Sequence, residues 1–255
     1  LLKVCALGSG SKGNSIFIGS DQCKILIDVG LSAKQISLRL QDIGEDINAI
    51  NAIFITHEHS DHIGGLKVLS KKLPSIPIFV SKNIDSDTFS YSKSLETFTS
   101  GDSILFRNFK ISTFQIPHDT VDPVGFVVQS GSSKVAVATD IGKPTYNVKN
   151  ALFECSTIFL EFNHDETLLL TGSYPWELKE RIKGNYGHLS NREAIEILKE
   201  IESDNLKNIF ISHISEENNS YKKIKSDILS TFPNKLKSKL FYFTFQRKIS
   251  KVVND

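Results

Sequence analysis

Short apolar runs rich in Ile, Val and Phe, each bounded by Gly, Ser, Asn or Asp, recur along the chain. They fall at residues 3–7, 15–18, 24–27, 52–56, 77–80, 103–106, 110–116, 125–129, 134–138, 157–161, 208–212 and 240–245. Runs of this length and composition predict β-strands, the early ones as hairpin-like neighbours. Helical patterns lie between them, with start signals of their own. Ser32-Ala33-Lys34-Gln35 and Ser190-Asn191-Arg192-Glu193 both fit a capping box. Pro175 suits the first turn of a helix running to Ile182 before Gly184. After Asp61, the residues Ile63, Leu66, Leu69 and Leu73 share one face of a further predicted helix. About a dozen strands and six or seven helices in mixed order predict an α+β fold, two sheets packed together with helices outside. No Pro/Ser/Gly-rich linker divides the chain, so residues 1–255 are read as one domain.

Composition sharpens this picture without redirecting it. With 40% apolar residues over 255 positions, the chain can bury a sizeable core. The longest apolar runs are far shorter than the roughly 20 residues a transmembrane helix needs, which predicts a protein with no membrane association. Thirty basic against 29 acidic side chains leave a formal charge of +1. That balance excludes a strongly basic mode of nucleic-acid binding but permits a local basic groove. The N-terminal residues lack a signal-peptide pattern, and Cys5, Cys23 and Cys155 are odd in number and lie far apart. Both features predict a reducing, cytoplasmic location.

The chemistry concentrates in Thr56-His57-Glu58-His59-Ser60-Asp61-His62. Imidazole and carboxylate are ligands that Zn, Mn or Fe accept. A helical H-E-x-x-H zinc site would need histidine at position 61, where this chain has aspartate, so that protease pattern fails. His57 and His59 suit a strand end or turn, whereas Asp61 and His62 begin the next helix and can face a second, adjacent metal. Four β-type runs end on a ligand-type residue: His57, His118, Asp140 and His213. Strand ends on one rim of a sheet converge, so ligands scattered over the chain can meet in one cavity.

His57-x-His59-x-Asp61-His62, followed by His118, Asp140 and His213, resembles the metallo-β-lactamase superfamily signature in order and spacing, across essentially the entire chain. The resemblance implies a four-layer αββα sandwich of two similar halves, with metals at one edge between the sheets. It implies that His57, His59 and His118 hold one ion, that Asp61, His62 and His213 hold the other, and that Asp140 bridges them. Asp28 matches the family's early aspartate, which orients the histidine loop; alternatively it is a turn residue before Gly30. A more specific resemblance is to the YycJ (WalJ, VicX) family. It is carried by Gly8-Ser9-Gly10-Ser11-Lys12-Gly13-Asn14-Ser15, Glu161-Phe162-Asn163-His164-Asp165, Tyr174-Pro175-Trp176, Gly187-His188-Leu189-Ser190-Asn191 and Ser212-His213-Ile214-Ser215-Glu216-Glu217-Asn218-Asn219. Members of that family are described as nucleases, some with a 5′-to-3′ exonuclease activity on DNA.

The first of these motifs contains G-x-G-x-x-G, but Asn14-Ser15-Ile16-Phe17-Ile18 alternates like a strand, so the glycines predict a hairpin loop. That loop is either a tight turn alone or a lip where Ser11, Lys12 and Asn14 hold a phosphate. His188 lies just ahead of the helix capped by Ser190, a place suited to an anion. Similarity to related RNA- and DNA-processing members implies that His188 contacts the scissile phosphate or acts as general acid, with Glu161 its orienting partner; otherwise it caps the helix. His164 is left to a loop or a place behind the ligands. Only 47 residues separate Asp140 from His188, too few for the large β-CASP insertion. Lys235, Lys237, Lys239, Arg247, Lys248 and Lys251, interleaved with Phe241, Tyr242 and Phe245, form either a phosphate-tracking tail or a strand with a solvated face.

The resulting expectation is a hydrolase with two divalent ions, Zn²⁺ foremost and Mn²⁺ or Fe²⁺ as alternatives, acting on DNA or RNA. One rival is a small-molecule metallohydrolase acting on a thioester, lactone or cyclic phosphodiester. The other is a non-catalytic metal-binding regulatory protein.

Overall fold

The computed structural model describes residues 1–232 and 240–255. One sheet takes β1 (Lys3–Gly8), β2 (Ser15–Gly19), β3 (Lys24–Ile27), β4 (Ala52–Phe54), β5 (Ile78–Ser81) and β6 (Leu95–Phe98) in chain order. The other takes β7 (Ser103–Phe106), β8 (Phe109–Gln115), β9 (Val124–Ser130), β10 (Ser133–Ala138), β11 (Thr157–Glu161), β12 (Asn208–Ser212) and β13 (Leu240–Phe243), also in chain order. The final strand, β14 (Val253–Asn254), crosses back to pair with β1. Each sheet starts with antiparallel neighbours and finishes with parallel ones, β3 to β6 in the first and β10 to β13 in the second. The halves therefore repeat one winding.

The described residues include the α-helices α1 (Ala33–Asp42), α2 (Ser60–Ile63), α3 (Leu66–Lys72), α4 (Tyr146–Leu152), α5 (Glu166–Thr171), α6 (Trp176–Lys183), α7 (Asn191–Glu200) and α8 (Tyr221–Thr231). Strand periodicity produces three cores. In β10, Val135 and Val137 enter the layer between the sheets, while Ala136 and Ala138 face the helices. In β12, Phe210 points inward and Ile209 and Ile211 outward, and in β1 Val4 and Ala6 oppose Cys5 and Leu7. Being buried on both faces explains why these strands read as continuous apolar runs. Phe54 stacks on Phe79 at 4.4 Å and meets Phe126 of the opposite sheet edge-on at 5.7 Å, tying the two sheets together. The order of layers is helix, sheet, sheet, helix, the αββα sandwich expected.

Local signals held where a side chain makes the bond they imply. Ser190 and Glu193 form the reciprocal capping box, and Ser32 accepts from the Gln35 amide. The predicted helix after Asp61 is instead two helices, parted at Gly64-Gly65. A Cβ on Gly65 would stand 2.0 Å from the Leu31 carbonyl oxygen, and the Gly65 amide donates to Val29. The segment after β3 passes against the chain there, and packing overrides the apolar periodicity. Pro175 caps α6 rather than occupying its first turn. The edge strand β6 was not predicted, because its Glu96 and Thr97 are exposed. Among the described residues no helix is long and apolar enough to cross a membrane.

Candidate metal centre

Five non-glycine residues among those described have positive φ, and three of them lie just beyond strand ends: Asp28 (62°) after β3, Asp140 (60°) after β10 and His213 (51°) after β12. Each costs roughly 1–2 kcal/mol relative to an ordinary conformation. Aspartate tolerates that region better than most residues. The turn it produces points all three side chains at one place between the sheets. There the loop after β4 brings His57, His59, Asp61 and His62, the last two on α2. Its approach depends on Gly30, where a Cβ would fall 1.6 Å from the Asp61 carbonyl oxygen. That carbonyl accepts from the Asn14 amide, which joins the loop after β1 to the same cluster.

Four buried imidazoles, His57, His62, His118 and His213, have Nδ1 hydrogen-bonded and turn Nε2 toward the centre, whereas His188 shares with them only the bond at Nδ1. His57 Nδ1 contacts Thr56 Oγ1 at 3.0 Å. His62 Nδ1 donates to Asp28 Oδ2 at 2.8 Å, and His118 Nδ1 to the Gly187 carbonyl at 3.1 Å. Glu161 Oε1 accepts from both His213 Nδ1 at 2.9 Å and His188 Nδ1 at 2.8 Å. The inner atoms His57 Nε2, His118 Nε2, His213 Nε2 and Asp140 Oδ2 are buried with no partner. Leaving polar atoms unpaired in the interior costs about 1–3 kcal/mol each, so their convergence fits a cation. Ligating histidines have this tied-outside, free-inside arrangement.

Ligand atoms of His57, His59 and His118 lie within 4.8 Å of one another, and so do those of Asp61, His62 and His213. Asp140 stands between the two groups, with Oδ2 3.3 Å from His62 Nε2 and Oδ1 3.4 Å from His213 Nε2 and 3.9 Å from His118 Nε2. Glu161 also falls within ligand distance of His188, His213 and Asp140. However, its Oε2 accepts from the Ile141 and Leu189 amides while Oε1 holds two imidazoles. Its acceptor capacity is already used, which makes it a hydrogen-bond hub rather than a ligand.

The electrostatics follow from packing carboxylates among buried imidazoles. Burial pushes His57 and His118 down, leaving both rings neutral near pH 7. Burial acts on His62 and His213 in the same direction but is overcome by Asp28 and Asp140 in one case and by Asp140, Asp61 and Glu161 in the other. His62 is held well above its ordinary value and His213 is raised to about 10. Asp61 and Asp140 are held below the carboxylate range, against burial, by their imidazole neighbours. Burial raises Asp28, so its contact with His62 retains a proton. Without a metal, protons thus balance this buried negative charge; a divalent cation would displace them.

The structure brings together Asp28, His57, His59, Asp61, His62, His118, Asp140, Glu161, His188 and His213, all read from the sequence. Around the glycine loop the outcome is mixed. Gly10 and Gly13 do turn a hairpin between β1 and β2, with φ of 128° and 140°. Ser11 lines a cavity beside His118 and His188. Lys12 is engaged by Glu216 in an exposed ion pair. Asn14 is aimed by the Gly10 amide, so that its Nδ2 lies 3.2 Å from Asp61 Oδ2 and 3.0 Å from His62 Nε2. His164 is buried, paired to Ser190 by a β-bridge, and burial holds it at about 4. Of the basic tail, Lys235, Lys237 and Lys239 lie outside the described residues; Arg247 is 3.8 Å from Glu216 and Lys248 sits over Phe245.

Four contributors escaped the sequence. Thr56 donates to Asp28 and contacts His57 and His62, yet precedes the motif as an ordinary strand residue. Asn163 donates to the His213 carbonyl, and Gly187 contributes only its own carbonyl oxygen. Asp119 Oδ1 lies 3.4 Å from His118 Nε2 and 3.9 Å from His59 Nε2, while Oδ2 accepts from Arg181 Nε at 2.6 Å. A carboxylate directly following a ligand-type histidine was the available signal for it.

Residues 24–214 match the family model described as a beta-lactamase superfamily domain. The chain is 32% identical over 223 residues to the exodeoxyribonuclease YycJ of Bacillus anthracis, covering 86% of this chain and 84% of that protein. It is 33% identical over 224 residues to the exodeoxyribonuclease WalJ of Streptococcus pneumoniae, covering 85% and 83%. In structure it is similar to the metallo-beta-lactamase fold protein YhfI from Bacillus subtilis, with a TM-score of 0.75 at 15% identity over 98% of this chain and 99% of that one. The converging strand-end histidines and carboxylates, the doubled winding and these similarities together place the chain in the metallo-β-lactamase superfamily, as a member of its YycJ/WalJ family.

Proposed function

We propose that the chain is a dinuclear metal-dependent phosphodiesterase, a 5′-to-3′ exonuclease acting on DNA. The carrying observation is that the buried imidazoles of His57, His118 and His213 are held at Nδ1 and have no hydrogen bond at Nε2, around Asp140. His57, His59 and His118 would hold one ion; Asp61, His62 and His213 would hold the other; Asp140 would bridge. Zinc suits this donor set, and Mn²⁺ or Fe²⁺ suit it as well. Bound there, the ions would supply Lewis acidity and a water acidified into nucleophilic range. Likeness to proteins named exodeoxyribonucleases supports the DNA substrate. The three cysteines are free and buried, in keeping with a reducing cytoplasmic setting, and two half-sandwiches closing one site support a single domain.

Asp61, partly buried and ionised, would accept a hydrogen bond from the attacking water, and Asn14 Nδ2 holds its orientation. Asp28 and Thr56 fix the tautomers of His62 and His57 so that Nε2 of each faces inward. Glu161 does the same for His213 and, through the same oxygen, leaves His188 Nε2 as the outward atom. From there a protonated His188 can donate to the departing ester oxygen. The test is the metal-loaded protein on end-labelled DNA and RNA beside Asp61→Ala: turnover that Asp61→Ala does not reduce rejects the assignment. His188→Ala separates the small-molecule rival, which expects unaltered ester hydrolysis and no competition from polynucleotides.

A further inference from the structure

A cavity of about 200 Å³ opens beside the metal centre, bounded on one side by His118 and His188 and on the other by α6. Tyr174, Leu178, Arg181 and Ile182 form its helical wall. Their i, i+4, i+7, i+8 spacing carries one stripe from the residue before the Pro175 cap along a single helix face. Tyr174 and the two aliphatic side chains make that wall apolar, whereas Ser11, Asn163 and Ser215 line the cavity with polar groups. Arg181 is anchored at one nitrogen, Nε to Asp119, which leaves its two terminal amino groups for another acceptor. The Tyr174-Pro175-Trp176 motif supplies none of the proposed metal ligands, yet its tyrosine lines the same cavity as His188.

From this arrangement we infer that the cavity is a nucleotide subsite: Tyr174 stacks against the base of the terminal nucleotide of a DNA strand, and Arg181, steadied by Asp119, contacts the phosphate that joins it to the site. The inference rests on the phosphodiesterase reading and names where its substrate lies. The volume is below the roughly 300 Å³ at which pockets begin to enclose whole drug-sized ligands. The cavity's size matches a single base better than a base pair, which fits a strand whose end enters unpaired. An aromatic ring gives affinity without base preference, because every base has a π-face. Arg181 adds a single, salt-sensitive phosphate contact.

The experiment is a cycle on the metal-loaded protein, crossing Tyr174→Ala with single-stranded DNA whose attacked end carries either a base or an abasic residue. Stacking predicts that the abasic end raises KM roughly 5- to 150-fold in the unsubstituted protein. Tyr174→Ala should raise KM by a similar factor on normal DNA and then show no further loss on the abasic strand. Tyr174→Phe, which keeps the ring, should restore the low KM. An abasic end that leaves KM unchanged, or two losses that simply multiply, overturns the subsite. A 2-aminopurine at the same end, behind an uncleavable phosphorothioate linkage, gives a binding readout: its emission should be quenched by the protein and much less by Tyr174→Ala, and equal quenching by both rejects the subsite. If the loaded protein cleaves no phosphodiester at all, the hydrolase reading fails, whereas cleavage with a multiplicative cycle removes the subsite alone. Arg181→Ala should lower the slope of log K against log salt by about one.

Discussion

The two halves of the sandwich repeat one winding but supply the centre by different means. In the first half a single turn, residues 57–62, carries four ligand-type side chains, and one buried carboxylate behind it, Asp28, holds one imidazole, His62. In the second half the groups come singly from the ends of β8, β10, β11 and β12 and from the turn before α7. The corresponding carboxylate there, Glu161, holds two imidazoles through one oxygen, and only one of them, His213, belongs to the proposed ligands. The other, His188, lines the cavity. On the proposed reading the first half serves to hold metal. The second couples the same grip to the side where substrate would enter, so its residues should show effects on turnover that added metal does not cure.

The largest break of that symmetry is expected at His188. His188→Ala should reduce DNA turnover by about 10²–10⁴-fold while leaving metal content intact, checked by element analysis beside the assay. The two carboxylates should then part company. Asp28→Asn and Glu161→Gln should each weaken metal binding or activity by about 10–100-fold, the usual effect of removing an orienting partner. Excess metal should restore Asp28→Asn and fail to restore Glu161→Gln, whose His188 stays misaligned; equal rescue of both erases the distinction.

The two proposed metal positions differ in their protons as well. His57 and His118 are neutral near pH 7, whereas His62 and His213 bind protons in the metal-free protein, His213 up to about pH 10. Metal must displace those protons, so affinity at the second position should rise with pH toward that value, by up to about tenfold per unit for each proton released. Calorimetry in buffers of different ionisation enthalpy counts the protons. A smaller effect belongs to His164, which lies behind the centre. Its folded value of about 4 is below the 6.5 of an unperturbed imidazole, so the unfolded chain binds the extra proton first. Stability is therefore lost as pH falls from 6.5 through 4, by about 3 kcal/mol, and His164→Asn should flatten that slope in metal-free denaturation curves. Smallest of all, Ser190→Ala removes the capping box of α7 and should cost about 1 kcal/mol.

The difference between the halves also decided what could be read from sequence. Three histidines and an aspartate in one short turn stand out against any background, and strand-end histidines such as His118 and His213 gained meaning from them. Asp28, His188 and Glu161 were legible only through family resemblance, because single residues separated by long stretches carry no local spacing. Thr56 and the Gly187 carbonyl were not legible at all: one looks like a strand residue, and the other acts through its backbone. Fold class followed from short continuous apolar runs, since burial on both faces of a strand leaves a strong apolar signature. The split after α2 did not, because a close backbone approach at Gly65 has no periodicity. Lys12, offered by the glycine loop as one possible phosphate contact, meets Glu216 in an exposed ion pair that its spacing did not foretell.

The central claim is tested most directly by titrating the metal-free chain with Mn²⁺ or Zn²⁺ while reading metal per chain and nucleotide release from end-labelled single-stranded DNA in the same samples. Two ions around Asp140 predict that release appears only as occupancy passes from one ion to two, and that Asp140→Ala abolishes it. Full turnover at one ion per chain, or no DNA hydrolysis at two, contradicts the account.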